Sequence, residues 1–280
     1  MANENVNETN NETNNETTNA PAPTRYTLMV ENTFAIEENK SIACTGNLHG
    51  KIKKGDTFLF IHPKFPMGLE ATVDALVVDN ETKDEAENCR VAVMTSSVND
   101  PAEIPKYTVI SNVRPQPKPQ PNVPVENPYL VGLTTEYSRL ISDSEFAFSF
   151  MAALLTSMLI TPAEVAQPKV SEETGKTEQK ISFKLLPHPD NKELHVLPLF
   201  TDVAAMHMWE GLFKDGKPIM PTIALPFEKS SEVALANGGI VINPFGPVAV
   251  YVSNTNVQNT LNLKQQITKK QQEQKKAENK

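Results

Sequence analysis

The chain has 280 residues and a mass of 30.9 kDa, which at roughly 100–200 residues per domain allows one to three domains. Hydrophobic residues make up 39% and charged residues 21%, below the globular averages of about 45–50% and about 25%, so ordered domains are diluted by polar, uncharged sequence. A net charge of −8 argues against a nucleic-acid grip across the whole surface, and the two cysteines, Cys44 and Cys89, exclude a disulfide-stapled scaffold.

Residues 1–23 are almost entirely Asn, Glu, Thr, Ala and Pro. They offer nothing to bury, so a disordered tail is expected. The start lacks the basic and apolar stretches of a secretion signal, and the cytoplasm is the expected location. From residue 24 to 114 the pattern changes to short β-type runs: 26–30, 41–46, 57–61, 71–78, 89–95 and 107–113. Lys54-Gly55-Asp56 reads as a tight turn between two of them. Regular short strands without a helical period predict a closed antiparallel β-barrel. Residues 115–128 carry proline at nearly every second position, which predicts an extended, semi-rigid linker.

From Tyr129 the pattern turns α/β. A helix is expected over 129–141. Asp143-Ser144-Glu145 starts a second, with Phe146, Phe150, Ala153, Leu154 and Met158 on one face. The apolar run 146–161, closed by Pro162, is 16 residues long. A membrane span needs about 20, so this run reads as a buried helix. Strands are expected over 181–186, 195–200, 222–226 and 240–242. Helices are expected from a Thr201 or Asp202 cap through Phe213, and over 228–236. Residues 256–280, rich in Lys and Gln, read as a solvated helical tail, since no apolar heptad is sustained.

Two resemblances follow. Phe34-Ala35-Ile36, Cys44-Thr45-Gly46 and Gly50-Lys51-Ile52-Lys53-Lys54-Gly55-Asp56 resemble the second-domain β-barrel of elongation factor Tu and its relatives, followed in order by Val73-Asp74-Ala75-Leu76 and Val91-Ala92-Val93-Met94. The phosphate loop of the GTPase half is missing. Leu197-Pro198-Leu199-Phe200-Thr201-Asp202 with Trp209, Pro226-Phe227, and Gly239-Ile240-Val241-Ile242-Asn243-Pro244-Phe245-Gly246 resemble the N-terminal domain of the SseB family, named for enhanced serine sensitivity, across 129–252, within an expected domain of 129–255. That resemblance implies an α/β module and no defined activity. The expected fold is therefore multidomain: a translation-factor-like β-barrel followed by an SseB-like α/β domain.

No catalytic constellation, cofactor motif or metal pattern is legible. His188, His195 and His207 match no compact zinc spacing and read as structural. Cys44 and Cys89 read as small buried hydrophobes. Ligands bind at strand ends in open α/β sheets, so the loops after Phe200 and Ile242 are the expected binding surface. Thr201, Asp202 and Asn243 lie there, with Trp209 and Phe245 as aromatic anchors. Lys51, Lys53 and Lys54 form a basic patch that could touch RNA phosphates. The expected function is a non-enzymatic, cytoplasmic protein-binding or scaffolding role with a protein partner. The alternatives are a ribosome- or RNA-associated factor using the barrel, and a metabolite sensor or enzyme tied to amino-acid (serine) metabolism. Neither membrane nor DNA is an expected partner.

Overall fold

The computed structural model describes residues 24–116, 120, 123–170, 177–178, 180–215 and 217–278. The expected N-terminal tail lies outside them.

The first unit is made of strands β1 Thr27–Met29, β2 Asn32–Ile36, β3 Ser41–His49, β4 Lys51–Lys53, β5 Thr57–His62, β6 Phe65–Thr72, β7 Ala75–Val78, β8 Glu81–Lys83, β9 Glu85–Glu87, β10 Arg90–Thr95 and β11 Val109–Ser111. They pair antiparallel in the order β6-β5-β11-β1-β3-β10-β7-β8, with β2 on β3 and a separate β4–β9 pair. Gly55, at φ 86°, makes the predicted turn after β4, and the Asp56 carboxylate accepts the Lys53 N–H at 2.8 Å. The expected closed barrel is corrected: the ladder ends at β6 and β8, which do not pair. The expected strand over 71–78 breaks at Val73 and Asp74. Their N–H groups turn to Asp56 O and Met94 O, both at 2.9 Å, so β6 stays on β5 while β7 joins β10.

The second unit carries α1 Pro128–Leu140, α2 Ser144–Thr156, β12 Met158–Val165, β13 Lys169–Val170, β14 Thr177–Glu178, β15 Ile181–Phe183, β16 Leu186–Pro187, β17 His195–Leu199, α3 Val203–His207, β18 Phe213–Lys214, β19 Lys217–Pro218, β20 Thr222–Pro226, α4 Phe227–Leu235, β21 Ile240–Ile242, β22 Val250–Val252 and α5 Asn254–Glu278. One sheet runs β16-β17-β21-β22, with β17 and β21 parallel; another runs β15-β12-β20. A bridge between Ile160 and Phe200 connects the two sheets. Asp143 caps α2 by accepting the N–H groups of Glu145 and Phe146, at 2.9 and 3.2 Å.

Three expectations change. The apolar run 146–161 is not one helix. Ser157 turns its hydroxyl onto Ala153 O at 2.7 Å, α2 stops, and Leu159 and Ile160 pair with Leu225 and Ala224 in β12. Pro162 continues that strand and uses its carbonyl to accept the Lys184 N–H at 3.1 Å. Secondly, α3 ends at His207, because Trp209 leaves the helical region, at φ −87° and ψ 86°, and stacks its ring on two phenylalanines. Thirdly, the described part of 115–128 does not run extended. Gln116 bridges Glu126 and Gln120 bridges Val123, so the chain doubles back, with Val125 buried beneath it.

The two units share a core. β1 and β11 are buried on both faces. Leu28 and Ile110 point into the strand-rich core; Met29 and Val109 point the other way, as the period of two requires, and pack with Leu130, Leu133 and Phe150. Gly132 allows this approach: a Cβ there would lie 2.5 and 2.6 Å from the Val109 methyls. The start of α5 is also seated in this core, with Val257 and Thr260 fully buried, so the second unit continues past the expected end of its domain at 255. No helix among the described residues is long and apolar enough to cross a membrane.

Candidate functional site

The close approach of α1 to β1 and β11 leaves a cleft of about 510 Å³ at the junction of the units. β1, the β3–β4 turn and β11 line one side. The other is lined by α1, the start of α3 and the loop after β21. The walls are largely apolar: Val113, Pro128, Val131, Ala204, Met208 and Val248.

The polar rim starts with the loops that the sequence singles out. Asp202 caps α3 by accepting the Ala205 N–H on Oδ1 at 2.8 Å. Its Oδ2 accepts the Thr201 hydroxyl at 2.9 Å. Asn243, at φ 49°, takes a left-handed conformation that asparagine tolerates, and its Oδ1 accepts the Thr201 N–H at 3.0 Å. Asn127 ties this knot to α1, donating to Thr201 O at 2.6 Å and Met158 O at 2.7 Å. Thr201, Asp202 and Asn243 therefore meet at one place, on the cleft wall.

Trp209 and Phe245 stack on each other with ring centroids 4.7 Å apart, and Phe200 lies beyond Trp209 at 6.2 Å. Neither Trp209 nor Phe245 lines the cleft. The pair sits beside it, where Met208 and Phe245 are 54% and 40% exposed. The basic patch is on the strand-rich unit, and its charge is offset locally. Glu85 on β9 holds Lys51 at 2.8 Å and Lys53 at 3.7 Å. Those bonds raise the Lys51 ammonium and lower the Glu85 carboxyl, so both stay charged.

Sequence reasoning missed the residues that the first unit contributes. Arg25 donates a two-pronged bond to Glu126, at 2.6 and 2.8 Å, and places Nη1 3.7 Å from Asp202 Oδ1. The hydrogen bond to Glu126 is the main cause of the raised Arg25 pKa. His49 lines the strand side of the cleft and faces Glu136 of α1 at 3.9 Å. Glu136 also accepts from Asn47 at 3.1 Å and from Arg139 at 2.8 Å. Burial opposes its charge, but the nearby His49 and the bonds from Arg139 and Asn47 outweigh burial and hold the carboxyl at about 2. Arg139 and Arg90 both reach Glu31, at 2.6 and 2.7 Å, which fastens α1 to the sheet edge. The only signal for these partners was a buried-face position, 136, occupied by Glu on an otherwise apolar helix stripe.

The described residues contain no cluster of three or more metal-ligating side chains. His188 is structural: its Nδ1 accepts two backbone N–H groups, at 3.0 and 3.1 Å, and its Nε2 meets the Tyr251 hydroxyl at 2.8 Å. Burial pushes the Cys44 thiol up to about 12, which leaves it a small hydrophobe rather than a nucleophile.

Residues 138–259 match the family model described as the SseB protein N-terminal domain. The match runs from the last turn of α1 to the first part of α5 and includes Thr201, Asp202, Trp209, Asn243 and Phe245. The matched segment supplies the part of one wall formed by α3 and the loop after β21, while the α1 residues of that wall precede the match and the strand-rich region supplies the other wall. No curated protein matches the sequence. Among solved structures, the apo form of translation elongation factor SelB from Methanococcus maripaludis is similar at 13% identity, TM-score 0.29, covering 62% of this chain and 32% of that one. A bacterial selenocysteine-specific elongation factor EF-Sec is similar at 14% identity, TM-score 0.29, covering 57% and 23%. This chain spans less than half the length of either.

Proposed function

We propose that this chain is a non-enzymatic protein-binding module of the cytoplasm, and that a partner segment docks in the cleft between the strand-rich unit and the SseB segment. The observation that carries this reading is the cleft itself: both units build it, its walls are largely apolar, and the charged groups Arg25, Glu126 and Asp202 meet at one place on it. Its volume of about 510 Å³ falls in the usual range for a bound group, about 300–1,000 Å³. The apolar surface does not stop at the mouth. Met208 lines the cleft and is exposed, and the Trp209–Phe245 stack stands next to it. Met and aromatic side chains are enriched in protein interfaces, which favours a macromolecular partner over a metabolite enclosed by the fold.

Ala204→Trp tests this with little risk to the fold, because Ala204 is exposed on α3 at the cleft wall. Capture of the full chain from its source cells is expected to lose its specific partner in this variant, while Lys192→Trp, outside the cleft, keeps it. Equal capture by both variants would refute the cleft as the docking site. A ribosome- or RNA-associated role through Lys51, Lys53 and Lys54 has weaker support, because Glu85 offsets two of the three charges. A metabolite in the same cleft is the other rival, and it predicts a thermal shift with amino acids that Ala204→Trp abolishes.

A further inference from the structure

We propose that the cleft selects a cationic side chain, a lysine or arginine carried by the partner segment between apolar residues. This rests on the cleft being a protein-docking site. The argument is one of charge and geometry. Two carboxylates, Glu126 and Asp202, border the cleft with side chains only 12% and 8% exposed. One fixed cation, Arg25, faces them both. Its fork is used by Glu126, and it stands 3.7 Å from Asp202, beyond hydrogen-bond reach. Asp202 is left with the Thr201 hydroxyl and the Ala205 N–H as its bonded donors. The rim therefore holds one negative charge in excess, in a partly dry site where charge interactions are strong. Glu136 does not add to it, being paired with Arg139.

A second observation points the same way. Thr27, 7% exposed, lines the cleft, and its hydroxyl has no hydrogen-bond partner among the described residues. Its oxygen is an unused acceptor in the cleft lining, packed beside Gly132 of α1, and an ammonium or guanidinium brings donors only. Arg25 already shows how a guanidinium lies against this rim. The chain's own residues 1–23 carry four Glu and no Lys or Arg, so they have the wrong sign to fill the cleft. The apolar walls suit the stem of a long cationic side chain or its apolar neighbours.

The test uses the full chain and three fluorescent peptides, acetyl-Ala-Leu-X-Leu-Ala-amide with X as arginine, citrulline or glutamate, read by anisotropy. The arginine peptide is expected to bind about tenfold more tightly than its neutral citrulline isostere, as charge-assisted hydrogen bonds require. Asp202→Asn is expected to erase that ratio while the protein stays folded, since Asn caps a helix as well as Asp. Arg25→Gln leaves both carboxylates facing the cleft and is expected to raise the ratio. Equal binding of arginine and citrulline peptides would overturn the charge selection and leave the docking site standing. Preference for the glutamate peptide would overturn it in favour of an acidic occupant. Failure of all three to bind at about 1 mM would overturn both the selection and the docking site.

Discussion

Glu136 holds a carboxylate where helix α1 meets the strand-rich unit, 4% exposed. Such a position is tolerated only when the charge is paired and hydrogen-bonded. Asn47 and Arg139 donate hydrogen bonds to it, and His49 faces it at 3.9 Å, so that Asn47 and His49 approach from the opposite unit. The carboxyl sits at about 2 in the folded chain against an ordinary value of 4.5. A depressed folded pKa gives stability that is complete above the unfolded value and lost as pH falls through the folded one. Glu136→Gln is therefore expected to cost about 2 kcal/mol at pH 7, an allowance that includes screening at this junction. The gap from the parent should close as pH is lowered from 4.5 toward 2. Urea unfolding across that range checks it, and a gap independent of pH would contradict the assignment. Asn243 belongs to the same scale. Its residue type, at the end of the Ile240-Val241-Ile242 run, was legible as a loop position. Its bond to Thr201 was not, because it joins residues far apart in the chain.

At the scale of elements, the contact of α1 with β1 and β11 sets both the shared core and the cleft. Gly132 is the point of closest approach. Gly132→Ala improves intrinsic helix propensity by about 1 kcal/mol, yet it drives a methyl into Val109. A net destabilisation of about 1–3 kcal/mol is expected from the overpacking. Val109→Ala removes the two clashing methyls and should rescue much of that loss in the double variant; simple additivity of the two costs would show that the contact is not where the strain arises. Much of the local structure was legible. The Lys54-Gly55-Asp56 turn, the Asp143 cap, the Asp202 cap and the buried strand at 240–242 all follow from short-range chemistry. Periodicity misled where two elements share one apolar run. Residues 146–161 read as one helix because an apolar strand inside a buried layer carries no alternation to mark it. The proline-rich stretch misled for another reason: stiffness was read without the tertiary partner, and Val125 finds a core to bury in.

For the whole molecule, the consequence is that the two units act as one body. The strand pattern at 26–30 already contained the clue. Met29 is apolar at a position that a barrel with one buried face would leave to solvent, and Val109 repeats it on β11, with Tyr107 just before that strand. Their outward faces join Leu130, Leu133, Phe146 and Leu154 in a single core. Lys106 and Tyr107 also reach Asp143, the cap of α2, at 3.4 and 2.8 Å. Calorimetry of the full chain is thus expected to show one cooperative transition with matching calorimetric and van't Hoff enthalpies. Two resolved transitions would mean that the junction adds little to stability. The candidate site was half legible. The SseB-like loops pointed to Thr201, Asp202 and Asn243, but Arg25 and His49 of the first unit, and Glu126 of the linking stretch, become part of the site only when the two units pack together.

The most direct measurement of the central claim is site-specific photocrosslinking in the source cells, with benzoylphenylalanine placed at Met208, an exposed residue lining the cleft. A discrete adduct with one protein is expected from position 208 and not from position 192, and Ala204→Trp should remove it. No adduct at 208, or the same adduct from both positions, would contradict a partner docked in the cleft.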